Sequence, residues 1–116
     1  TVAAAMQAEL ENDLKEVSSR KIIMMTHVVT HPQFVIPLPH PVYDYYNAFL
    51  GNKSYMELYD RYPIVHSIMG HVHFRKMLYE KKTTFYCACL GNARHWYTDD
   101  PYIEMAYTME EFIVDI

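Results

Sequence analysis

The chain has 116 residues, the size of one compact domain and too few for two. Hydrophobic residues make up 51% and aromatics 15%, well above the composition of chains that stay disordered for want of apolar surface to bury. Ten Lys and Arg against fourteen Asp and Glu give a net charge of −4 with no basic run, which argues against a nucleic-acid partner, since phosphate binding draws on clustered cations.

Taken in order, Met6, Leu10, Leu14 and Val17 recur at helical spacing with charged residues between them, which predicts an amphipathic helix over residues 3–18. The run Ile22-Ile23-Met24-Met25-Thr26 reads as a short strand covered on both faces. Pro32, Pro37, Pro39 and Pro41 then make residues 27–41 an irregular loop. Two short helices are expected over residues 43–50 and 54–62, separated by Gly51-Asn52 and stopped by Pro63. Ile64 to Met69 is a second apolar strand closed by Gly70. Strands are expected again over residues 72–79, 83–90, 102–107 and 112–116, with Lys81-Lys82 as a hairpin turn and Asp99-Asp100-Pro101 as a looser one. Helices and strands followed by a meander predict a layered α/β (α+β) fold in one unit.

Seven histidines in so short a chain are the unusual feature, because imidazole ligates metals and moves protons near neutral pH. Gly70-His71-Val72-His73 follows one apolar strand and Thr26-His27 follows another. Functional residues concentrate where rigid buried strands give way to loops, so two strand ends that each deliver histidine point to one shared site. A lone histidine at a strand end is as readily an ordinary hydrogen-bonding residue; the joint placement gives the pattern its weight.

Residues 22–34, IIMMTHVVTHPQF, followed by residues 64–74, IVHSIMGHVHF, resemble the last two metal-binding blocks of the calcineurin-like metallophosphoesterases. The resemblance implies half of a two-sheet αββα sandwich, a site at one sheet edge and hydrolysis of phosphate esters. It also implies two divalent metal ions, Mn, Fe, Zn or Ni, that neutralise charge developing on the phosphoryl oxygens. By motif, His27 and His71 would ligate one ion and His73 the other. The family's Asp-x-His, Gly-Asp-x-x-Asp and Gly-Asn-His blocks have no counterpart here, since Gly51-Asn52 precedes Lys53 and Gly91-Asn92 precedes Ala93. The expectation is therefore the carboxy-terminal part of a longer enzyme, inactive alone, with its bridging Asp and catalytic His in an absent amino-terminal half. Metallo-β-lactamase and histidine-triad patterns fail on one residue, because Arg75 stands where they need Asp or His. A second reading is a non-catalytic binding or assembly module, which would cover open apolar surface by pairing with a second copy.

His31, His40, His95 and Arg94 are further candidates to approach a substrate phosphate, each also readable as a solvated loop residue. His66 lies within a strand, five residues before His71, and is expected to be a hydrogen-bonded core residue or one that supports a metal-ligating neighbour. Cys87 and Cys89 lack the second pair of a zinc site and read as small buried hydrophobes, reduced as in the cytoplasm. Asp99-Asp100 and Glu110-Glu111 read as solvated turn charges. No apolar stretch approaches the roughly 18–20 residues of a membrane span, and the first residues show no signal-peptide pattern, so the expected location is cytoplasmic.

Overall fold

A computed structural model of the chain describes residues 2–34, 55–73 and 75–110. Helix α1 (Val2–Glu16) leads into strand β1 (Ile22–Met25). A 3-10 turn at Pro32–Phe34 follows, and in the next described segment come helix α2 (Met56–Arg61) and strand β2 (Ile64–Met69). Strands β3 (Arg75–Glu80) and β4 (Thr83–Ala88), a 3-10 turn at Ala93–His95 and helix α3 (Pro101–Glu110) follow. The expected helix over 43–50 and strand over 112–116 lie outside the described residues.

The protein is thus mixed α/β. Its four-stranded sheet has the order β1-β2-β4-β3, with β1–β2 and β2–β4 parallel and β3–β4 antiparallel. The hairpin turn places Lys81 at φ 56. Beside it, the Thr83 hydroxyl donates to the Ile64 carbonyl at 2.6 Å and ties the start of β4 to the start of β2. Three parallel strands therefore run the same way, and their carboxyl ends share one edge of the sheet.

The register divides the sheet into two faces. Met24, Ser67, Phe85 and Leu78 lie side by side, as do Met25, Ile68, Tyr86 and Met77 one residue further along. The first row belongs to the core, with Leu14 of α1 and Leu58 and Tyr59 of α2. The Tyr59 hydroxyl bonds the Ser67 hydroxyl at 2.7 Å and also that of Thr30, so three buried polar groups satisfy one another. Burial pushes the Tyr59 phenol above its ordinary pKa. Only the middle of the α1 stripe is covered, since Leu14 is buried while Met6 and Val17 are exposed. Glu11 ties that helix to the end of α2, accepting from Arg61 Nη1 at 2.6 Å and from the Tyr62 hydroxyl at 3.0 Å.

Two expectations need correction. Strand β1 is not covered on both faces: Ile22 and Met24 are buried, whereas Ile23 and Met25 are exposed at the sheet edge. The strand expected over 102–107 is helix α3. Asp100 accepts the Tyr102 N–H at 2.8 Å and its carbonyl accepts the Glu104 N–H at 3.1 Å. With Pro101 as first helical residue, Asp100-Pro101 is an N-terminal helix signal. Helix α3 turns polar residues inward: Glu104 and Thr108 are buried while Tyr102, Ile103, Met105, Tyr107 and Met109 are exposed.

Candidate metal centre at the strand ends

The tips of β1, β2 and β4 deliver His27, the segment from Gly70 to His73, and the segment from Cys89 to His95 to one edge of the sheet. The Gly70 N–H donates to the His27 carbonyl at 3.2 Å, and a Cβ on Gly70 would stand 3.3 Å from that oxygen. Glycine lets the two loops meet this closely. Gly91, at φ +66, likewise brings the loop after β4 against the His73 carbonyl, 3.3 Å from where its Cβ would lie.

At this edge His27 Nε2 and His71 Nδ1 are 3.0 Å apart, with both rings exposed. His71 has φ 73 and His73 φ 60, left-handed conformations that non-glycine residues rarely adopt. Each such residue costs about 1–3 kcal/mol and persists where the surroundings over-determine it, commonly at functional sites. His73 does not join the pair through a ring contact; its ring lies edge-on to His95, centroids 5.8 Å apart.

The 3.0 Å separation of His27 Nε2 and His71 Nδ1 is that of a hydrogen bond between the two rings, and it also lies within the spacing of two nitrogens on one ion. Two imidazole nitrogens about 2.1 Å from one ion stand roughly 3.0–3.4 Å apart at ordinary coordination angles. Among the described residues no group of three or more His, Cys, Asp or Glu is arranged to hold a metal.

The remaining candidates are scattered. Arg94 and His95 are exposed in the loop after β4, whereas His40 lies outside the described residues. His31 is not a solvated loop residue: it is buried, packs on Phe85 with centroids 4.7 Å apart, and bonds Glu80 Oε2 through Nε2 at 2.5 Å. Because its Nδ1 accepts the Gln33 N–H at 3.1 Å, Nε2 carries the proton donated to Glu80. His66 is half-buried beside Tyr86, and its buried Nδ1 has no partner among the described residues, contrary to the expected satisfied core histidine.

The cysteines form a pair rather than two inert hydrophobes. Their sulfurs are 3.7 Å apart, with Cys87 buried and Cys89 half-buried. The Cys87 thiol donates to Cys89 and holds its pKa below the usual thiol range, aided by the backbone N–H groups of His73 and Val72, while Cys87 is itself pushed up.

Sequence reasoning missed Glu104, which is fully buried. It accepts from the Tyr97 N–H at 2.8 Å and from Arg75 Nη2 at 3.3 Å.

Comparison of the chain with protein-family models, with curated proteins and with solved structures gives no match. Among the described residues no helix is long and apolar enough to cross a membrane.

Proposed function

We propose that the chain is the carboxy-terminal part of a metal-dependent phosphoesterase, with His27 and His71 ligating one divalent ion and His73 a second. The observation that carries this reading is the approach of His27 to His71 at the tips of adjacent parallel strands, within the Thr-His and Gly-His-x-His blocks. In this reading the ions, when bound, supply charge neutralisation at a phosphoryl group, and the carboxylate ligands come from outside these 116 residues. The β-strand scaffold orients the imidazoles, and the tight Gly70 contact fixes the loop that carries two of them.

The test is turnover of a chromogenic phosphodiester with Mn²⁺ or Zn²⁺. The chain alone should give negligible turnover, and a chain extended by upstream coding sequence bearing Asp-x-His and Gly-Asp-x-x-Asp should give it. Efficient turnover by the chain alone, or upstream sequence without those blocks, contradicts the proposal.

A second reading, an assembly module, is favoured by the open face of the sheet. Met25, Met77 and Tyr79 are 74%, 61% and 69% exposed there. In this reading a second copy of the chain covers that face, and sedimentation equilibrium should find a dimer that Met77→Asp dissociates. A monomer at every concentration contradicts it.

A further inference from the structure

We propose that Cys87 and Cys89 are a dithiol that exchanges with a low-molecular-weight disulfide, Cys89 reacting first, and closes to a reversible Cys87–Cys89 bond. Neither is in a disulfide, and as the chain's two cysteines they have only each other to bond with inside it. Their sulfurs lie 3.7 Å apart, about 1.7 Å more than the covalent distance of a disulfide.

The backbone sets how that bond closes. Residues two apart on an extended strand point to the same side, with Cα atoms roughly 6.6–6.8 Å apart, the upper end of the roughly 4.4–6.8 Å that a disulfide bridges. Cys87 is held in the sheet, paired with Met69 of β2 and Lys76 of β3. Strand β4 ends at Ala88, so Cys89 lies outside the ladder and can give the small displacement that closure requires. A bond near the limit of its span is readily reduced, which makes it a reversible link rather than a structural one.

Access fixes the order of events. Cys87 is 1% exposed and belongs to the core, whereas Cys89 is half-buried and lines a cleft of about 230 Å³ that Leu90 and Tyr97 also border. A small disulfide RSSR therefore meets Cys89, whose thiolate attacks one sulfur, forms Cys89–S–S–R and releases RS⁻, which takes up a proton as RSH. The Cys87 thiol then loses its proton to solvent, attacks the Cys89 sulfur and expels the second RS⁻. The reagent is reduced to two thiols and the two cysteines are oxidised to one disulfide, so atoms and electrons balance. The assignment does not depend on metal at His27 and His71.

Both cysteines fall in one tryptic peptide, residues 83–94, so peptide mass spectrometry separates the outcomes. The native chain is treated with hydroxyethyl disulfide and then with iodoacetamide, without reductant. The expected product is that peptide lighter by two hydrogens and unalkylated, in a chain that runs as a monomer on non-reducing electrophoresis and that dithiothreitol returns to the dithiol. Cys87→Ala should stop at the hydroxyethyl mixed disulfide on Cys89. In Cys89→Ala, Cys87 should react at least about tenfold more slowly in the folded chain than in urea, where burial no longer protects it. If Cys87→Ala fails to fold, the unsubstituted chain and the Cys89→Ala comparison decide. An unmodified chain, a mixed disulfide that persists in the unsubstituted chain, a bond between two chains, or a Cys87 that reacts as fast folded as unfolded overturns the proposal.

Discussion

On one face of the sheet, Met24, Ser67 and Phe85 lie in register, each at most 4% exposed, whereas Met25 and Met77 of the adjacent row on the other face keep 74% and 61% of their surface. The residue types overlap, methionine on methionine, so composition does not distinguish the faces. The difference is what lies above each: α1, α2 and Phe34 supply the packed side with a shared core. Apolar residues contribute stability through the neighbours that remove them from water, so the first face holds the strands in register and the exposed residues of the second add little. The strand-end histidines sit at the rim of this arrangement, where a rigid sheet ends in exposed loops.

The sharpest way to break this contrast is truncation on each face. Phe85→Ala should cost about 3–5 kcal/mol in urea unfolding, as for a large side chain removed from a packed core. Met77→Ala should stay within about 0.5 kcal/mol. Equal losses would show that the faces are equally packed. Next in size is Tyr59→Phe, which leaves the buried Ser67 and Thr30 hydroxyls without their shared partner and should cost about 1–3 kcal/mol by the same measurement. A neutral result would mean that those hydroxyls find other acceptors.

The smallest effect concerns the cysteines at the end of β4. Cys89 should react with iodoacetamide at lower pH than Cys87, because the thiolate of Cys89 is the form that the Cys87 thiol stabilises. The sign follows: a depressed pKa leaves more thiolate at neutral pH, so Cys87→Ala should move the Cys89 alkylation profile to higher pH. Peptide mass spectrometry across a pH series reads both. An unchanged profile would remove the hydrogen bond from the account.

The three parallel strand segments and the two histidine-bearing strand ends were legible because apolar runs closed by polar or glycine residues are local signals. Other features depended on distant partners. The burial of His31 follows from Glu80, which is 49 residues away, and no local pattern announces it. Ile22 to Met25 are all apolar, so their alternate exposure depends on where the helices lie. Helix α3 was hidden because its buried positions are Glu104 and Thr108 and its exposed ones are apolar, which inverts the usual periodicity. Asp-Pro also serves turns and helix starts alike, and only the Asp100–Tyr102 hydrogen bond separates the two. His73 illustrates a limit of motif spacing: left-handed φ values at His71 and His73 send neighbouring rings to different companions.

The central claim is that His27 and His71 are co-ligands, and Zn²⁺ calorimetry on the metal-free chain tests it most directly. The account predicts saturable binding that His27→Ala and His71→Ala each weaken at least about tenfold, a loss of roughly 1.4 kcal/mol, while His66→Ala leaves it intact. Absence of binding, or binding indifferent to both substitutions, would contradict it.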